Sequence, residues 1–217
     1  MTTLLRTTCF ILSVVAVSSC AFLSPATPER LVKVKLVVDR RVRESNVSWR
    51  SHISRIFRAA ADFFDDEFGI RLAVEGIHPW TPEEPVTSTR ELLALLKKQV
   101  PLSDGRERFD MAIGFTQLPG RIMPGHARVD EIGNCATGLG NYIALAIADT
   151  RGYGDDDQLR GDTDVQSLIH EIGHIFGAEH VEDRDSIMAV YFKPYSDFDK
   201  KNRDVISKNK FCAFRRG

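Results

Sequence analysis

His170, Glu171, His174 and His180 are the residues whose types and spacing carry chemistry in this chain. They lie in the run His170-Glu171-Ile172-Gly173-His174-Ile175-Phe176-Gly177-Ala178-Glu179-His180. On an α-helix, side chains four residues apart stack on one face, so the imidazoles of His170 and His174 can converge on one ion. Neutral imidazole nitrogen suits Zn²⁺ at about 2.0–2.1 Å, and three such ligands leave one position open to water. Glu171 lies about 100° round the helix from His170, beside that open position, where a general base belongs. A straight helix cannot bring a third imidazole to the same ion. Gly177 removes the obstacle, because glycine takes left-handed angles without the roughly 1–2 kcal/mol penalty of other residues. The chain can then turn and return His180 to the metal. The bland alternative, a core helix with two satisfied histidines and a glycine stop, explains neither Glu171 nor His180.

Several elements must hold that run in place. Leu31 to Val38 alternates, with lysines at 33 and 35, and predicts a half-exposed strand. A helix is expected from Ser48 as N-cap, with Ile53, Ile56, Phe57, Ala60, Phe63, Phe64 and Phe68 on one face and a stop at Gly69. Ile70, Leu72 and Val74 alternate as a second strand, and Pro79, Pro82 and Pro85 mark a loop. Ser88 and Glu91 form a capping box ahead of a helix over 89–100. Phe109 to Phe115 and Tyr142 to Ala148 are expected as buried strands, with a short edge strand near 126–130. An acidic, glycine-rich loop over 152–164 leads to the histidine helix at about 164–176. A last helix is expected from Ser196, burying Phe198, Val205, Ile206 and Phe211. Strands alternating with helices indicate an α/β (α+β) domain on a mixed sheet.

The run fills every fixed position of H-E-x-x-H-x-x-G-x-x-H, and the chain resembles the metzincin zinc metalloproteases. Asp185-Ser186-Ile187-Met188 follows at a suitable distance to be a metzincin Met-turn, with Met188 beneath the metal. The order of strand 31–38, helix 48–68, the Val74–Trp80 stretch, Gly125-His126-Ala127 and Gly133-Asn134-Cys135 is similar to the reprolysin (adamalysin-like) branch. The resemblance implies a zincin-like catalytic domain over 31–217, with a mixed twisted sheet, an antiparallel edge strand, the active-site helix and a C-terminal helix. It implies a zinc metalloendopeptidase with one catalytic Zn²⁺, in which Glu171 activates water against a peptide bond. By the same resemblance a peptide lies extended along the edge strand at His126, Ala127 and Arg128, and the segment with Tyr191 and Pro194 walls a side-chain pocket. Cys135 and Cys212 match a disulfide common in that branch. The chain departs from the branch in having no recognisable cysteine-switch prodomain and few extra cysteines. Tyr191 follows Met188 by three places, where relatives with a zinc-reaching tyrosine have two, so it is expected as wall rather than ligand.

The remaining residues bound the setting. With 217 residues, 43% hydrophobic and 27% charged, the composition is that of one globular domain. Formal net charge is −1 with Lys and Arg dispersed, which disfavours nucleic acid as a partner. A polypeptide substrate and a monomeric state are expected. The start reads as a signal peptide over 1–19, with an apolar run from Cys9 to Val17 too short to span a bilayer. Val17-Ser18-Ser19-Cys20 looks like a bacterial lipobox, which would make Cys20 a lipidation site and 20–30 a tether to the membrane. Ordinary cleavage and free secretion is the alternative, and both place the protein outside the cytoplasm. In an oxidising compartment Cys135 and Cys212 would form one bridge closing a long loop; in the cytosol they would be buried free thiols. Asp155, Asp156 and Asp157 have the composition of a Ca²⁺ loop, although a solvated loop is preferred. A second function from another class stays open: a catalytically silent, zinc-stabilised binding or adhesion module, whose usual mark would be a substituted Glu171.

Overall fold

A computed structural model describes residues 29–83, 86–103, 108–118, 126–147, 157–191, 193 and 196–215. Among these residues five strands form one sheet in the order β2-β1-β3-β5-β4: β1 (Arg30–Val38), β2 (Ile70–Pro79), β3 (Met111–Thr116), β4 (His126–Val129) and β5 (Tyr142–Ala146). The first four in that order run parallel, and β4 pairs antiparallel to β5 at the edge. This is the expected mixed sheet with an antiparallel edge strand. Central β3 is buried at every position, as a strand covered on both faces must be.

Among the described residues five helices accompany the sheet: α1 (Arg40–Ser45), α2 (Trp49–Phe68), α3 (Thr89–Gln99), α4 (Asp157–Ile175) and α5 (Lys200–Asn209). The apolar face of α2 is buried at Ile53, Ile56, Phe57, Ala60, Phe64 and Phe68, and α2 packs on α4. Phe64 sits between Phe68, Phe176 and Phe198, with ring centroids 5.5–6.2 Å apart, joining α2 to the histidine segment and the C-terminal region. On the other face of the sheet, α3 lays Leu92, Leu93 and Leu96 against β5 and β3, close enough that a Cβ on Gly114 would lie 3.1 Å from Leu96 Cδ1. Among the described residues, no helix is long and apolar enough to cross a membrane.

Several sequence expectations are corrected. The short helix α1 was not foreseen: Val42 is its sole buried residue, so it has no apolar stripe to read, and it forms because Asp39 caps the Arg41 N–H. Ser48 occupies the N-cap position of α2 without a side-chain cap; Asn46 Oδ1 instead accepts the Ser48 N–H at 2.7 Å. Strand β2 runs on to Pro79, past the point where alternation stops. Its register shifts between Val34↔Val74 and Leu36↔Ile77, so Glu75 and Gly76 together oppose Lys35, a bulge that breaks the period of two. Strand β3 begins at Met111 rather than Phe109. The capping box is half formed: Ser88 Oγ accepts the Glu91 N–H at 3.2 Å, but Glu91 Oε2 accepts from the N–H of Thr87 at 2.8 Å.

Helix α4 starts at Asp157, earlier than the acidic composition suggested, so Asp157 is helical rather than part of a loop. Helix α5 starts at Lys200, with Asp199 as N-cap accepting from Asn202 N at 3.0 Å, because Ser196 Oγ is used on the Lys193 carbonyl. Phe211 is 52% exposed, against expectation. Lys210 takes the inward place instead, its Nζ donating to the Phe68 carbonyl at the end of α2 at 2.8 Å. Residues 1–28, and so the signal peptide, Cys20 and most of the tether, lie outside the described residues, as do Asp155, Asp156 and Pro194.

Candidate metal centre and cleft

Helix α4 supplies the floor of the site. His170 and His174 lie one turn apart on it, both buried, and the helix ends at Ile175. Gly177 then has φ 98°, the left-handed turn that the sequence required. No side chain would fit there: a Cβ on Gly177 would lie 2.5 Å from both Asn209 Nδ2 and the Gly133 carbonyl oxygen. Beyond the turn, His180 comes back over the helix. Its Nε2 lies 3.2 Å from His170 Nε2 and 3.2 Å from His174 Nε2.

The outer nitrogens explain the tautomers. His170 Nδ1 meets the Ile187 carbonyl and His174 Nδ1 meets the Ala178 carbonyl, each at 2.6 Å. A carbonyl can only accept, so both Nδ1 atoms carry the proton and both Nε2 atoms turn bare lone pairs inward. Burial is the main reason the two imidazoles resist protonation, with the neighbouring histidines adding to it. It brings His170 down to about 3 and His174 to about 4. Lone pairs crowded together without protons need a cation between them. Two Zn–N bonds of about 2.0–2.1 Å at a tetrahedral angle would set their nitrogens roughly 3.3–3.4 Å apart. The observed 3.2 Å spacings match, and the three histidines form a group able to hold a metal ion.

Glu171 sits next to this group and is buried, which raises its carboxyl to about 8; the Arg128 charge and the backbone N–H of Val129 both pull the other way. The histidines and Glu171 open on a cleft of about 510 Å³, whose other wall is edge strand β4 with His126, Ala127 and Arg128. Tyr191 lines the rim and is 70% exposed, a wall residue. Met188 is fully buried under the helix, and a Cβ on Gly173 would lie 3.2 Å from its Sδ. The turn around it is pinned by Ser186 Oγ, which accepts from Met188 N at 3.1 Å and donates to Asp199 Oδ2 at 2.7 Å. The carbonyl of Ile187, just before Met188, is the one that accepts from His170 Nδ1 at 2.6 Å. Cys135 and Cys212 form a disulfide, with Cα atoms 5.1 Å apart, tying the segment after β4 to the end of α5.

Three features were missed from sequence. Ser167, one turn before Glu171 on the same helix face, lines the cleft, and its buried Oγ has no hydrogen-bond partner among the described residues; the i, i+4 spacing was a usable signal. Gly173 leaves room beneath the helix for Met188 and Phe198. Asn202 and Asn209 of α5 hold the segment that carries His180, and no local pattern announces either.

The model of metallopeptidase family M12 (Reprolysin_5) matches residues 29–213. No curated protein sequence matches the chain. Among solved structures, archaemetzincin from Methanopyrus kandleri is similar in fold. It has a TM-score of 0.54 and 19% identity, over 86% of this chain and 98% of the archaemetzincin chain. With the family model spanning nearly all of the described fold, and a three-histidine group where a metal would be held, the chain belongs to metallopeptidase family M12.

Proposed function

We propose that this chain is a zinc metalloendopeptidase in which His170, His174 and His180 hold one Zn²⁺ and Glu171 is the general base. The observation that carries this reading is the convergence of three imidazoles, two with their protons pinned on the outer nitrogen, beside a buried carboxylate. Zinc supplies Lewis acidity, lowering the pKa of bound water towards about 7 and polarising the scissile carbonyl. Glu171 takes the proton of the attacking water and passes it to the leaving amine. A cation beside it adds to the pull of Arg128 and the Val129 N–H, favouring the carboxylate that a base requires.

Strand β4 positions the substrate. Asp130 N donates to the Tyr142 carbonyl of β5, so Val129, of the opposite parity, turns its N–H away from β5. Alternate residues of an antiparallel strand face opposite edges, so Ala127, of the same parity as Val129, directs its N–H and C=O to the open side. An extended internal segment of polypeptide pairs there by strand addition. Export, with lipidation at Cys20 or free secretion, is part of the proposal, and the Cys135–Cys212 disulfide favours it. Intact mass of the mature protein tests the anchor: acylated Cys20 supports it, and an unmodified N-terminus removes it.

The decisive experiment is Glu171→Ala with zinc content and peptide cleavage measured together. The variant is expected to keep its zinc and lose turnover by several orders of magnitude. Cleavage persisting in the zinc-loaded variant would falsify the assignment of the base.

A further inference from the structure

Beyond the reaction centre, the acidic groups along the cleft wall are engaged by their neighbours. Asp130 Oδ1 accepts the N–H groups of Asn141 at 3.0 Å and Tyr142 at 3.1 Å. Glu131 Oε2 lies 3.3 Å from Arg215 Nη1. Arg128 stands apart. It is exposed, it lines the cleft, and among the described residues no ion pair or side-chain hydrogen bond engages its guanidinium.

Its place relative to the chemistry follows from the cleft. Arg128 on β4 and Glu171 on α4 line the same cavity of about 510 Å³, and the Arg128 charge acts on the Glu171 carboxyl. A peptide extended along β4 advances about 3.3 Å per residue, so an arginine on that wall meets side chains within a few residues of the scissile bond. A guanidinium presents a planar fork that matches a carboxylate in two parallel hydrogen bonds and repels a basic side chain. His126, two residues back and also exposed, lies on the same face of the strand.

Building on the peptidase reading, we propose that Arg128 is a specificity residue that selects substrates with Asp or Glu close to the scissile bond. The step it adds is recognition alone: no bond is made or broken at Arg128. A charge-assisted pair of this kind is expected to favour an acidic over an isosteric neutral side chain by on the order of tenfold in kcat/KM. The preference weakens as salt rises, because the pair lies at the rim of the cleft.

The test uses the full zinc-loaded chain and quenched peptides identical except for Glu, Gln or Lys at each position flanking the cut. Wild type is expected to favour Glu over Gln at one position by about tenfold. Arg128→Ala should cost the Glu peptide about tenfold more than the Gln peptide, Arg128→Lys should restore part of the difference, and Arg128→Glu should shift preference to Lys. Equal losses on all peptides would overturn the proposal, since Arg128 would then be acting through Glu171. A wild type indifferent to charge also overturns it. If the zinc-loaded wild type cleaves no peptide at all, the peptidase reading itself fails and takes this one with it.

Discussion

Asn202 grips both backbone groups of Glu179, its Oδ1 accepting the N–H at 2.9 Å and its Nδ2 donating to the carbonyl at 3.0 Å. The next residue is His180. Past the left-handed turn at Gly177 the chain has no helix of its own to satisfy these groups, so a fully buried amide on α5 does it. The third imidazole is therefore set from the C-terminal helix, and only the first two from α4. Asn209 of the same helix donates to the Phe176 carbonyl at 2.9 Å, holding the other end of the turn.

Asn202→Ala is thus expected to act on the metal as well as on the fold. It removes two part-buried hydrogen bonds, worth about 0.5–1.5 kcal/mol each. Freeing the His180 segment should also lower zinc affinity by roughly 10–100-fold, as loss of an orienting partner does. Zinc titration against a competing chelator, run beside a thermal melt, separates the two effects. A variant that melts early yet binds zinc as tightly as wild type would show that Asn202 serves stability alone.

The clamp also marks the limit of what the sequence discloses. The histidine spacing, the glycine turn and the alternating strands could all be read because each depends on residues a few places apart. The Cys135–Cys212 pairing was accessible because few cysteines remain after the signal-like start. Asn202 and Asn209 were invisible: their partners lie 23 and 33 residues away, and a buried asparagine looks like a surface one until its acceptors are known. Lys210 misled for the same reason. Its ammonium caps a carbonyl 142 residues distant, which turns Phe211 outward. Helix α1 and the bulge at Glu75-Gly76 escaped because a single buried residue and a broken alternation give periodicity nothing to act on.

The disulfide should matter to stability more than to chemistry. It closes a loop of 77 residues and ties the segment after the edge strand to the end of α5. Cys212→Ser is expected to cost about 2–4 kcal/mol, by the usual chain-entropy account. For a domain of this size that corresponds to a fall in Tm of roughly 5–15 °C. Thermal melts with and without reductant provide the check. A reductant that leaves the wild-type melt unchanged would argue that the bridge contributes nothing measurable.

Metal-free protein should be sensitive to acid in a defined window. Folding holds His170 near 3 and His174 near 4, below the ordinary value of 6.5, mainly by burial. Between pH 6.5 and about 4 the unfolded chain therefore takes up protons that the folded chain refuses. Stability falls with pH across that interval, by up to about 1.4 kcal/mol per unit for each histidine, and these groups add no slope above it. Urea titrations of chelator-treated protein at a series of pH values measure the slope. With zinc bound, the same protons must displace the ion, so loss of metal should accompany loss of stability. Glu171, held near 8 by burial, gives the opposite slope between about 8 and 4.5. The measurement is therefore made in chelated Glu171→Ala protein, where a flat profile from pH 6 to 5 would contradict buried, neutral imidazoles.

Gly177→Ala probes whether the turn itself makes the site. Its φ of 98° is strained for any side chain, and the added Cβ would lie 2.5 Å from Asn209 Nδ2 and from the Gly133 oxygen. Left-handed strain alone is worth about 1–2 kcal/mol, and displacing the Asn209 side chain and the Gly133 backbone adds to it. Relief requires the chain to open between Phe176 and His180, which carries the third imidazole away from the other two. Zinc affinity should therefore fall further than stability explains. Gly69→Ala is the control: Gly69 also has positive φ, 62°, but it caps α2, remote in sequence from the histidines. It is expected to lower the melting temperature and leave zinc binding at the wild-type level. Should the two alanine variants lose stability alike and zinc not at all, His180 is held by its other contacts, and the turn at Gly177 is merely the end of a helix.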